Sequence, residues 1–269
     1  MFRRDGSVFK SDIISHPSVR HAFSTREGGV SECDHTKSMN LSFGNGDGDG
    51  TVRENMRRLC LMAGTEYSGL IGSPQYHGCH ARTVFSENAL ERIEKENPSP
   101  SDAFVTDSVG VSLLVRVADC TPILFCGTKE DASPVIGAAH AGWKGTVGGI
   151  AASVVEAMVS LGCKRDTVKV AVGHCIHPCH FEVKDDFVRS VSSARGDGFA
   201  VRHVKERGGR LFADLVSMNL EILESAGIKR ACVDVSPYCT ACDPALFHSH
   251  RATGGKRGTM GAVIGIVKR

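Results

Sequence analysis

Apolar and polar positions alternate in blocks along this chain, and the period of the pattern changes from block to block. Thr51-Val52-Arg53-Glu54 has the spacing of a capping box, and Met56, Leu59, Cys60 and Ala63 follow at helical intervals, which predicts a helix opening at Thr51. Val111 to Val117, Ile123 to Cys126 and Val135 to Ala139 are short apolar runs bounded by Pro, Gly or charged turns, the pattern of buried strands. Ile150, Val154, Val155, Met158 and Leu161 then form a helical stripe. Val168 to Val172 predicts a strand, Asp214 to Ala226 a helix and Ala231 to Val235 another strand. The alternation predicts an α/β fold with a buried mixed sheet. No glycine fingerprint follows the first strand, so a dinucleotide-binding fold has no support. Pro98 and Pro100 mark a loop from Glu94 to Ser101. No repeat, low-complexity tract or long linker divides the chain, which predicts one domain over residues 1–269.

Composition narrows the function classes. With 269 residues, 41% hydrophobic and 23% charged, the chain can bury a substantial core. A net charge of +2 without blocks of like charge argues against a nucleic-acid partner. Met1 to Gly6 is not followed by the apolar core of a signal peptide, and no run approaches the ~18 apolar residues that span a bilayer. A cytoplasmic protein with no membrane partner is expected. The eleven cysteines lack the density of a small disulfide scaffold, which predicts reduced thiols.

Three polar islands interrupt the apolar blocks: Gln75-Tyr76-His77-Gly78, Ala118-Asp119-Cys120-Thr121-Pro122 and His140-Ala141-Gly142-Trp143-Lys144-Gly145. Each carries one soft or borderline ligand at a strand end or in a loop, where α/β proteins hold their sites. Two imidazoles and a thiol are the donor set of an open zinc site, in which a fourth tetrahedral position is left for water or substrate. His77, Cys120 and His140 are therefore candidate metal ligands and catalytic residues, provided that the three loops converge.

The islands belong to a longer series of ordered motifs: His21 to Ser31, Asn40-Leu41-Ser42, Gly173 to Val183 and Cys239-Thr240. In these the chain resembles the YfiH/YlmD-like laccase-domain family over nearly its whole length. The resemblance implies a layered mixed-sheet α/β fold of the YfiH-like type and a zinc site of His77, Cys120 and His140, with copper as the other metal to consider. It also implies phosphorolysis of adenosine, inosine and 5′-methylthioadenosine, together with adenosine deamination, so that purine nucleosides and phosphate are the expected partners. Arg26, Asn40 and Arg251 are the expected substrate-binding residues, each in a family motif, and an Arg fork suits phosphate oxygens. Asp119 is read either as the orienting partner of a ligand imidazole or as the cap of its turn.

Other features carry competing readings. Cys175, Cys179, Cys239 and Cys242 could supply a structural Cys₄ zinc site, although the family matches account for Cys175, Cys179 and Cys239 without one. His174 and His177 stand where the family usually has Pro and Gly. His180-Phe181-Glu182 with Pro237 to Cys242 imitates a zinc deaminase signature imperfectly. Asn45, Asp47, Asp49 and Gly50 imitate half of a calcium loop that lacks its closing Glu. Gly254 to Thr259 lacks phosphate-loop order and is expected to be a basic, mobile segment. Trp143 is expected to pack beneath the site rather than stack on a purine. A copper polyphenol oxidase is one alternative function, with His248-Ser249-His250 as the lone H-x-H pair. A Cys-His hydrolase with Cys120 as nucleophile is another, and peptidoglycan precursor editing is a third.

Overall fold

A computed structural model describes residues 1–85 and 100–268. All of the expected loop from Glu94 to Ser101 except Pro100 and Ser101 lies outside the described residues. One six-stranded sheet runs in the order β1 (Phe2–Asp5), β2 (Val8–Ser11), β3 (Val19–Ser24), β15 (Met260–Ile266), β7 (Ser112–Val117) and β4 (Leu70–Ile71). A second runs in the order β14 (Val233–Val235), β10 (Lys169–Val172), β8 (Thr121–Thr128), β9 (Pro134–Ala141), β6 (Ala103–Thr106) and β5 (Ala81–Thr83). Pairs β4–β7, β5–β6 and β10–β14 are parallel and the others antiparallel, so both sheets are mixed. A small third sheet holds β11 (Glu182–Val183), β13 (Arg210–Ala213) and β12 (Val204–Arg207).

The strand period of two sorts the core into layers. Phe23, Leu113, Val115 and Ile264 of the first sheet meet Phe104, Leu124 and Ile136 of the second in one buried cluster. Their neighbours Ala22, Leu114 and Val263 turn outward onto α1 (Asp49–Ala63), through Val52, Met56 and Leu59. On the far side, Val105, Ile123, Phe125 and Val170 pack with α3 (Ile150–Ser160) and α6 (Leu215–Ser225). The short α2 (Trp143–Gly148), α4 (Asp185–Arg195) and α5 (Asp197–His203) add Val147, Phe187 and Phe199 to that cluster. The result is helix, sheet, sheet, helix. Because both faces of each sheet are covered, the strands are apolar runs rather than alternating ones.

Several boundaries differ from the sequence expectation. Helix α1 opens at Asp49 after Gly48, which makes no side-chain cap, so the capping box at Thr51 does not form. Asp47 fixes the entry instead, accepting hydrogen bonds from Ser31, Thr36 and Asn40, and Asp49 in the first turn suits the helix dipole. The calcium-like stretch is thus a hydrogen-bonded helix entry. Asp214 caps α6 by accepting the Ser217 N–H at 3.0 Å. Strand β9 runs on through His140 and Ala141, so that island begins inside a strand. The expected strand from Ala231 begins only at Val233, because residues 230–232 form a 3₁₀ turn.

Three histidines are buried in this framework without a charged partner. His174 sits among Phe9, Phe23 and Phe247 and donates from Nε2 to the Ser24 carbonyl at 2.7 Å. His21 accepts the Ser11 N–H, and His248 bonds the Met39 carbonyl. Burial pushes each of the three down to about 4. They are neutral when folded, whereas the unfolded chain binds protons below about 6.5. Stability therefore falls as pH drops from about 6.5 toward 4, by up to about 1.4 kcal/mol per pH unit for each histidine. Urea unfolding midpoints from pH 7 to 5 should show this slope, and His174→Gln should flatten it; a pH-independent midpoint would contradict it.

Candidate metal centre and flanking cavities

The site begins with a buried carboxylate. Asp102, directly before β6, is fully buried, and its oxygens accept the backbone N–H groups of Tyr76, His77 and Gly78 at 3.1, 3.0 and 2.7 Å. The same carboxylate binds His140 Nδ1 at 2.7 Å. Gln75 ties the other end of this loop to β7, exchanging two 2.8 Å hydrogen bonds with the Arg116 backbone. His77 is thereby held at φ 64°, and Cys120 follows Asp119 at φ 86°, both in the left-handed region that L-residues seldom occupy. Such backbone costs on the order of 1–3 kcal/mol and persists where surrounding bonds over-determine it.

The ligand atoms of His77, Cys120 and His140 lie within 4.8 Å of one another. Cys120 Sγ is 4.0 Å from His77 Nε2, and the two imidazoles meet edge to face with centroids 4.9 Å apart. Gly142 permits the approach, since a Cβ there would come 2.5 Å from the His77 ring. Burial opposes charge on the Cys120 sulfur, but hydrogen bonding and charge from His140 and His77 outweigh it and draw the thiol down to about 6. Burial also opposes charge on His140, which Asp102 and the Cys120 sulfur nevertheless raise to about 9. Asp102 is held below the usual carboxylate range, because His140 and the loop N–H groups outweigh its desolvation. A thiol ready to ionise, two imidazoles and a carboxylate fixing one tautomer are a donor set that fits zinc.

Two cavities meet at His77 and Cys120. One, of about 230 Å³, is polar and brings Ser42, Gln75, Arg116 and Arg257 around His77, Cys120 and His140. The other, of about 380 Å³, is lined by Ala118, Ile176, Phe181, His250, Arg251 and Arg257 beside His77 and Cys120. Arg257 faces both. Its Nη1 donates to Thr259 Oγ1 at 2.7 Å, while its buried Nε has no hydrogen-bond partner.

The multi-copper polyphenol oxidoreductase laccase family model matches residues 20–267. The chain belongs to this family. It is 37% identical to a purine nucleoside phosphorylase of Deinococcus radiodurans over 94% of this chain and 91% of that one. It is 31% identical to adenosine deaminase RL5 of an unknown prokaryotic organism, over 91% and 93% of the two chains. The crystal structure of YlmD from Geobacillus stearothermophilus superposes with a TM-score of 0.85 at 29% identity, covering 99% of both chains.

Around this laccase-family core the other expected residues fall into different roles. Arg251, in α7 (His250–Thr253), lines the larger cavity and donates its guanidinium to the carbonyls of His180 and Glu182. Arg26 donates to the carbonyls of Lys37 and Pro244 and lines neither cavity. Asn40 is fully buried, and its amide, bonded to Ser42, Asp47 and Thr259, braces the loops. Asp119 touches neither imidazole; it accepts the Thr240 hydroxyl and the Arg251 N–H, both at 2.6 Å. Trp143 packs on Phe187 with centroids 5.3 Å apart.

The H-x-H pair diverges, with His248 buried on the Met39 carbonyl and His250 at the larger cavity. Asp102, Arg116 and Arg257 were not foreseen. A single acid opening an apolar strand was the available signal for Asp102. Arg257 lies in the segment expected to be a mobile basic tail, where its burial against Thr259 had no sequence counterpart.

Asp102→Asn replaces the carboxylate that orients His140 with a neutral amide, and zinc affinity measured by competition with a chelator should fall roughly 10–100-fold. Gly142→Ala forces its methyl into the His77 ring and should lower zinc affinity while leaving thermal stability of the metal-free protein nearly unchanged.

Proposed function

We propose that this chain is a zinc-dependent purine nucleoside phosphorylase that also deaminates adenosine, with inosine and 5′-methylthioadenosine among its phosphorolysis substrates. The observation that carries the reading is that a more polar and a more apolar cavity meet at His77 and Cys120. The more polar one, with Arg116 and Arg257, suits phosphate, and the more apolar one walled by Ile176 and Phe181 suits a purine nucleoside. The names carried by similar proteins, phosphorylase for some and adenosine deaminase for another, support the same pair of reactions.

His77, Cys120 and His140 would hold the metal, which when bound supplies a Lewis acid to polarise a substrate group or acidify water. Asp102 keeps the proton of His140 on Nδ1, leaving Nε2 as the donor atom. In phosphorolysis the C1′–N9 bond breaks with its electron pair on the purine, and a phosphate oxygen bonds C1′. Arg257 and Arg116 balance the phosphate charge, with the unpartnered Arg257 Nε–H as a ready donor. In deamination water attacks C6 and ammonia leaves, a step that needs the metal but no phosphate. The protein is proposed to act as a single cytoplasmic domain; among the described residues no helix is long and apolar enough to cross a membrane.

The test is release of hypoxanthine from inosine with phosphate, and of ammonia from adenosine, by zinc-loaded protein. Cys120→Ala should abolish both. Arg257→Gln should raise the phosphate KM about ten- to a hundredfold, the value of one or two charged hydrogen bonds, and change deamination less. Neither product, or oxygen uptake on a phenol by copper-loaded protein in their place, would overturn the reading in favour of the oxidase that the family's description names.

A further inference from the structure

We infer that Cys179, His180, Cys239 and Cys242 form a second, closed zinc site that clips the Phe181 loop, which walls the larger cavity, to the Cys239–Cys242 turn. Their ligand atoms all lie within 4.8 Å of one another. His180 Nδ1 is 3.3, 3.4 and 3.9 Å from the sulfurs of Cys179, Cys242 and Cys239, and the Cys179 and Cys242 sulfurs are 3.5 Å apart. Tetrahedral zinc, with bonds of about 2.3 Å to sulfur and 2.0–2.1 Å to nitrogen, separates its ligand atoms by about 3.5–3.8 Å. The four donors therefore stand close to the corners of such a site.

The local backbone is arranged for it. Cys239 and Cys242 form a C-x-x-C turn closed by the Cys242 N–H on the Cys239 carbonyl at 3.2 Å. The His177 N–H donates to Cys239 Sγ at 3.3 Å, the type of outer bond that steadies a metal thiolate. The Thr240 N–H donates to the Cys175 carbonyl at 2.9 Å, which joins the two loops one residue from the cluster. Cys175 itself is buried outside the group, so the set is Cys₃His with His180 as the fourth ligand, not the Cys₄ combination that the cysteine spacing could have supplied. Three sulfurs and one nitrogen complete a tetrahedron and leave no open position, which makes the site structural where the His77 trio is open.

Its placement gives it a consequence. The loop held by Cys179 and His180 carries Phe181 and the carbonyls of His180 and Glu182 that receive the Arg251 guanidinium. Thr240, inside the C-x-x-C turn, bonds Asp119 next to Cys120. A metal at the clip fixes one cavity wall and braces the turn that presents Cys120.

Metal analysis of the full-length protein, purified under reducing conditions, should give two zinc per chain, falling to one in Cys179→Ser/Cys242→Ser. Because the double variant could fail to fold, cobalt loading of Cys120→Ala provides an independent reading. That variant removes the only thiolate of the open site, so thiolate-to-cobalt absorption with intense tetrahedral bands must arise from the clip. The absence of that absorption overturns the inference, as does a wild-type zinc content of one that the double variant leaves unchanged. A Cys179–Cys242 disulfide located by mass spectrometry in the reduced preparation overturns it as well.

Discussion

The Asp102 carboxylate is the interaction on which the site depends. It has no exposure to solvent, and it brings together one strand end, three consecutive backbone N–H groups and a side chain of the neighbouring strand. A buried carboxylate without partners would neutralise itself, so its four donors are the condition of its charge. Each bond to a charged group contributes about 1.5–3 kcal/mol, enough together to hold His77 in left-handed backbone. The same charge selects the His140 tautomer. One residue thus sets the place of one candidate ligand and the donor atom of another.

Convergence of the three islands follows from sheet order. Strands β8 and β9 are neighbours, with Pro122 opposite His140, so Cys120 and His140 emerge at one end of the second sheet. β6 pairs with β9 and delivers Asp102 beside His140. The His77 loop crosses between sheets, anchored on β7 by Gln75 and on Asp102 at its other end. No helix is needed to build the trio.

The sequence made the layers legible where apolar runs were continuous, because strands buried on both faces leave that pattern. It offered the trio as two imidazoles and a thiol at strand ends, and the resemblance to the family was what singled them out as ligands. Boundaries were less visible. The capping box at Thr51 was a local signal overridden by Asp47, whose partners are distant in sequence. Asp119 and Asp102 are both acids beside apolar strands, and only the pairing of β6 with β9 decides which one meets His140. Arg26 and Asn40 sit in motifs, but the loop hydrogen bonds they make here depend on partners distant in sequence. Arg257 was expected in a basic, mobile segment, whereas here it bonds Thr259 and lines both cavities.

The thiolate in the trio also explains why arginines can crowd it. A metal held by neutral imidazoles alone would add its full charge to Arg116 and Arg257, and the cluster of like charges would oppose itself. Cys120 brings one negative charge to the centre, and burial of the pair keeps that charge effective over short distances. Both arginines are in fact held below the usual guanidinium range by desolvation, in Arg257 against the opposing charges of Asp119 and Cys120. A cationic rim around a partly neutralised centre favours an anionic ligand, which is the charge arrangement that the proposed phosphorolysis would require at this end of the sheet.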